Sequence, residues 1–197
     1  MSGQQRDGAS SGGVGARGRA GAGAVHVAET VDEGKPAPGP VMPGGVRAGQ
    51  VMGLVEVIAG LGARADVAGV AHAMGGDLAE LLPVLDAAEA LGLIRIEKAG
   101  LALTEEGRRF EEANKDRMTM LRATLAGMEP FRTAVQLGSR RGGVASEAVA
   151  ESLARQGIWW HHEPGVNRSL VHALLLSWGV GAKLLGYNGR KGRFVSI

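Results

Sequence analysis

The stretch from Asp77 to Phe110, DLAELLPVLDAAEALGLIRIEKAGLALTEEGRRF, constrains the fold more than any other part of the chain. Asp77 and Glu80 have capping-box spacing, in which each side chain satisfies a free N–H of a helix's first turn. Leu78, Leu81, Leu82, Leu85, Ala88 and Leu91 follow three to four residues apart, the period of a helix with one buried face. Gly92 supplies a left-handed stop. Leu93, Ile94 and Ile96 favour a strand, Lys98-Ala99-Gly100 a turn, and Leu101 to Leu103 a return strand. Thr104 then reads as the N-cap of another helix, with Glu105 and Glu106 in its positive first turn. Pro83 is the awkward residue. Past the first turn it removes a backbone bond and costs up to about 3 kcal/mol, unless the helix starts nearer Leu81.

The flanks extend this pattern. Val51, Leu54, Val55, Ile58 and Leu61 place one stripe on a helix over Gln50 to Leu61. Asp66 can cap a short helix to about Ala73, with Val67, Val70 and Ala71 inward, and Met74-Gly75-Gly76 turns the chain into the Asp77 helix. Three helices followed by a two-stranded ribbon make a winged-helix domain over residues 48–112. Residues 113–197 read as an α-helical subdomain, so the fold class is mainly α with a small β-ribbon. Within it, Phe110, Met118, Leu121, Leu125 and Met128 suggest one long helix with a break at Asn114, then Phe131 to Leu137 and Ser146 to Gln156 form shorter ones. Ile158 to His162 reads as a loop, and Asn167 as the cap of a helix reaching about Leu185. Phe194 to Ile197 is β-prone without an evident partner strand. Residues 1–45 are Gly-, Ala- and Ser-rich with no periodic pattern, and are expected to be a disordered tail.

Composition narrows the chemistry. With no cysteine there is no disulfide, Cys-ligated zinc or thiol nucleophile. The N-terminus lacks an apolar signal region, and Leu170 to Leu185, broken by His172 and Lys183, falls short of the roughly 18 apolar residues of a membrane span. A cytoplasmic protein with no transmembrane segment is expected. The net charge of +2 hides a partition: residues 41–129 carry nine bases and thirteen acids, residues 130–197 nine bases and three acids.

That partition bears on nucleic acid. A winged helix that reads DNA presents Arg and Lys from its second-half helix to phosphate and guanine. Here that helix carries Asp77, Glu80, Asp86 and Glu89 and no base, and the wing offers only Arg95 and Lys98. Nucleic acid is therefore the less favoured partner, and the acidic helix is a candidate protein-contact face. Arg140, Arg141, Arg190, Lys191 and Arg193 are candidate basic contacts, although clusters this small are more often a solvated face. His161, His162, Glu163 and His172 lack metal-ligand spacing, and HExxH is absent. There is no phosphate-binding GxxxxGK[ST] and no GxSxG elbow at a strand-to-helix turn, and Ser139, Ser146 and Ser169 have no evident base. No catalytic residue, cofactor or metal site is expected.

The ordered combination of an opening amphipathic helix, LLPVLDAAEALGLI, a short ribbon, LTEEGRRFEEANKDR and SWGVGAKLLGYN resembles the AAA-associated C-terminal domain. That module is usually fused behind the ATP-binding subunits of ABC transporters of the nitrate/sulfonate/taurine class. The resemblance spans Val51 to about Val195. LTxxGRxF alone is shared with many winged-helix regulators, so the order of motifs carries the weight. No ATP-binding cassette precedes the domain in this sequence. The resemblance implies a free-standing, non-catalytic accessory or regulatory protein, placed in the cytoplasm or peripherally at the inner membrane through a transporter complex. Its expected partner is a protein: an ABC transporter ATPase subunit, or a second copy in a homodimer, with the helix from Asn114 to Met128 as a dimer element. The alternative is a winged-helix DNA-binding transcription regulator.

Overall fold

The computed structural model describes residues 40–98, 100–139 and 142–197, together with a two-residue strand, β1 (His26–Val27). The rest of the expected disordered tail lies outside the described residues. The fold is mainly helical, with small antiparallel sheets. Among the described residues no helix is long and apolar enough to cross a membrane.

The first half runs α1 (Ala48–Gly60), β2 (Arg64–Ala65), α2 (Val67–Ala73), α3 (Leu78–Ala90), β3 (Ile94–Glu97), β4 (Gly100–Leu103) and α4 (Glu105–Glu112). The expected ribbon is present, but it carries a third strand. β2 pairs with β4 through Arg64↔Ala102 and Ala65↔Leu101, giving the order β2-β4-β3. Two residues without apolar alternation leave no period to read, which is why this strand is silent in the sequence. The three N-caps form: Asp66 accepts from Gly69 N, Asp77 from Glu80 N and Thr104 from Gly107 N, but the return bond from the Glu80 carboxylate that would complete the expected capping box does not form. Gly107 has a second reason to be glycine, because a Cβ there would stand 1.9 Å from the Leu93 carbonyl oxygen.

α3 begins at Leu78 and continues through Pro83. It buries Leu81, Val84, Leu85, Ala87 and Ala88. Leu78 and Leu82, expected inward, are 51% and 49% exposed. Leu82 lies about 100° around the helix from Leu81, outside the stripe that Leu81, Leu85 and Ala88 define.

The second half departs further from expectation. The expected long helix is broken into a 3-10 turn (Asn114–Asp116), α5 (Arg117–Met120) and α6 (Arg122–Ala126). Asn114 has φ 50°, and the Arg117 guanidinium folds back to donate to the Phe110 and Glu111 carbonyls that end α4. Arg117 also pairs with Glu56 on α1, so the break is fixed by a tie between helices. Leu121, Leu125 and Met128 are buried as expected.

α7 (Phe131–Gly138), α8 (Ser146–Ala154), β5 (Ile158–Trp159) and α9 (Pro164–Leu174) follow, then a π-helical turn (Leu175–Val180), β6 (Leu185–Asn188) and β7 (Arg193–Ser196). Ile158–Trp159, read as loop, is a strand paired with β1. The partner missing for the last strand is β6, in the register Tyr187↔Phe194, and Val144 bridges Phe194 from the other side. Asn167 is no cap. Glu163 occupies the N-cap of α9, and Asn167 is 5% exposed, with its Oδ1 accepting from Trp160 N at 2.8 Å.

Residues 40–47 correct the tail's boundary. Met42 and Val46 are buried in one hydrophobic cluster that runs from α1 to Phe194. Trp160 donates its indole N–H to Met42 O at 2.7 Å, and Trp178 donates to Val46 O at 2.9 Å. Glu129, 1% exposed, donates its N–H to Pro40 O and accepts Met42 N at its carbonyl. Its carboxylate accepts from Arg132 and from Thr133 N. A buried carbonyl stripped of its donor costs about 1–3 kcal/mol. Trp160→Phe and Trp178→Phe are therefore each expected to lower the unfolding free energy by about that amount, read from denaturant melts. Gly107→Ala, which forces a methyl into backbone, is expected to cost about 3 kcal/mol.

Candidate functional site

α3 and the ribbon present one continuous surface. Asp77, Glu80, Asp86 and Glu89 are all exposed, but at about 100° per residue only Asp86 and Glu89 fall beside Leu78 and Leu82; Glu80 falls on the opposite flank and Asp77 caps the helix. Asp77 is partly occupied by its capping bond, and Glu89 Oε1 accepts from Ile96 N at 3.2 Å, which ties the helix to β3. Asp86 and Glu80 point outward without an ion-pair partner among the described residues. Ile96, 43% exposed, continues the apolar part onto the ribbon. The two ribbon cations contribute little positive field. Arg95 pairs with Glu97 at 3.0 Å, with Arg64 a further 3.9 Å contact of the same carboxylate, and Lys98 is exposed at the turn. This surface is acidic with an apolar centre.

The basic residues are split. Arg190 and Lys191 are exposed in the turn joining β6 to β7, and Arg193 donates to Gly143 O at 2.9 Å. Tyr187, Val195 and Ile197 are exposed on the same hairpin. Arg140 and Arg141 lie outside the described residues.

The histidines are not brought together. His161 and His162 stack with ring centroids 4.4 Å apart, whereas His172 packs edge-on against Tyr187 and Phe194. His172 Nδ1 stands 3.2 Å from Ser146 Oγ, a base-to-hydroxyl pair that nothing in the sequence suggested. Ser146 is buried at the first turn of α8, so the pair ties the start of α8 to α9.

A cleft of about 450 Å³ opens between α8, β5 and the start of α9. Trp159, Ala150, Ala154 and Pro164 give it apolar walls; Glu147, Glu151, His161, Asn167 and Arg168 give it polar ones. The cleft is silent in the sequence, because Asn167 has the residue type and position of a helix cap and Trp159 lies in a stretch too short to show a strand period.

The profile of the C-terminal AAA-associated domain matches residues 69–188. The chain belongs to this family. No curated protein and no solved structure matches the chain. The matched part of the AAA-associated domain starts inside α2 and ends with β6, so it contains α3, the ribbon and the cleft. It leaves out α1 and β7, both of which contribute to the same core.

Two exposed leucines on a helix face contribute little to folding. Leu78→Gln and Leu82→Gln, which keep helix propensity, are expected to change unfolding free energy by less than about 0.5 kcal/mol each. Leu85→Ala, on the buried face, is expected to cost about 2–5 kcal/mol in the same melts.

Proposed function

We propose that the chain is a non-catalytic accessory protein that works by protein contact, with the α3–ribbon surface as its docking face. The observation that carries this reading is the composition of that face: Asp86 and Glu89 beside two exposed leucines, with Asp77 and Glu80 at the helix start and no basic residue on the helix. The order α1–β2–α2–α3–β3–β4, with the sheet β2-β4-β3, supports a winged-helix domain over residues 48–112 and a helical subdomain after it. In a DNA reader the exposed face of α3 would meet phosphate, and the carboxylates of Asp86 and Glu89 there would be repelled by it. Against a protein, exposed leucines flanked by charge supply a small apolar centre and a polar rim.

Membership of the AAA-associated family supports an ABC transporter ATPase subunit as the partner, reached in the cytoplasm or at the inner membrane. The basic hairpin around Arg190 and Lys191 offers a surface of opposite charge on which a second copy can also dock. The pieces of α5 and α6 bury Leu121 and Leu125 inward, which favours the α3 face over the Asn114–Met128 segment as the contact element.

Affinity purification of the tagged chain from its own cells is expected to recover an ABC ATPase subunit, and Leu82→Arg to lose it while the melt stays unchanged. Duplex DNA is expected not to bind at low salt, and ATP turnover to stay at background. Recovery of no transporter component would count against the reading. DNA binding that falls steeply with salt, and is weakened by Arg95→Ala or Lys98→Ala, would replace it with a transcription regulator.

A further inference from the structure

We propose that the cleft between α8, β5 and α9 binds a small uncharged or cationic organic molecule, seated by a carbonyl-type acceptor on Asn167 and by an apolar body against Ala150, Ala154 and Pro164. The inference does not depend on the α3 face.

Asn167 is the first reason. It is 5% exposed, and its Oδ1 accepts from both Trp160 N at 2.8 Å and His161 N at 3.4 Å. Two backbone donors on one oxygen fix the amide's orientation, leaving Nδ2 with its two N–H groups on the other side. No hydrogen bond takes that nitrogen among the described residues, yet no buried side-chain nitrogen or oxygen there is without a partner. Nδ2 therefore keeps open surface, and the open space beside Asn167 is the cleft it lines.

His161 adds a second donor. Its Nδ1 accepts from Glu163 N at 3.1 Å, so the neutral ring carries its proton on Nε2. Stacking against His162 fixes the plane of that ring. Asn167 and His161 both call for an acceptor on the ligand.

Charge then decides which acceptor. Arg168 is neutralised by Glu147 at 2.5 Å, whereas Glu151 is exposed and has no ion-pair partner among the described residues. The lining is therefore net negative, and a carboxylate ligand would be repelled while an amide or ketone would not. An ammonium group on the same ligand would be drawn to Glu151. At about 450 Å³ the cleft is within the range that takes small organic ligands.

Three probes share a phenyl ring and differ in the head: phenylalaninamide, phenylacetamide and phenylacetate. Titrated into the full chain by calorimetry, phenylalaninamide is expected to bind best and phenylacetate about tenfold or more weakly. The side-chain amide resonance of Asn167 is expected to shift on binding. Glu151→Gln, an exposed change, is expected to bring phenylalaninamide down to the affinity of phenylacetamide. Ala154→Trp, at an exposed lining position, is expected to fill the cleft and abolish binding with an unchanged melt. No binding of any probe at millimolar concentration would overturn the proposal. So would equal affinity for all three, or binding that survives Ala154→Trp.

Discussion

Two indole N–H bonds hold this fold together. Trp160, in the loop after β5, and Trp178, in the π-helical turn, stand 18 residues apart, and each reaches back more than a hundred residues to a carbonyl of the segment before α1. Without them, residues 40–47 would be a polar backbone laid across an apolar core, with carbonyls buried and unpaired. A buried unpaired carbonyl costs more than an ordinary hydrogen bond contributes, so these donors are needed for the segment to lie where it does. Glu129 completes the clamp from the side, pairing its backbone with Pro40 and Met42 and its carboxylate with the start of α7. The buried cluster is consequently continuous from Met42 to Phe194. With aromatics at only 4% of the chain, spending two of three tryptophans on this strap explains how a core of leucine, valine and alanine is closed at its edge.

Local chemistry made half of this legible. The caps at Asp66, Asp77 and Thr104, the stop at Gly92 and the ribbon from Ile94 to Leu103 each depend on residues within a few positions of one another. What escaped depends on distant partners. Arg117 breaks a periodic apolar stretch by capping α4 and pairing with α1, and no window around Met118 contains that information. β2 is too short to have a period, β5 exists because β1 lies beside it, and β7 needs β6. Asn167 has the right residue type for a helix cap and sits near a helix start; only the fold reveals that it caps a loop instead. The acidic face was legible as charge, while its apolar centre was misread, since Leu78 and Leu82 fit a buried stripe until the helix phase is fixed.

The same misreading sharpens the functional argument. Leucines on the outside of a helix whose inner face is already complete serve neither core nor solubility. The carboxylates of Asp86 and Glu89 beside them keep the face wet in the free protein and make it selective once a partner arrives, because a like-charged surface is excluded. Ile96 and Glu89 extend this selectivity across to the ribbon, since the Glu89 bond to Ile96 N fixes the position of one exposed apolar residue relative to the others. The face is thus a rigid unit carried by two elements.

Asn167 connects the cleft to the strap. One side of its amide accepts from Trp160 N, and the indole of that same tryptophan holds Met42. In the binding mode proposed above, the other side faces the cleft. Anything that hydrogen-bonds Nδ2 polarises the amide and strengthens Oδ1 as an acceptor, which tightens the loop that carries Trp160. Glu129 then relays the position of Met42 to the first turn of α7 through its backbone and side chain together. Because the strap leads directly into α1, and α1 packs against α3, the cleft and the acidic face are held by one continuous core.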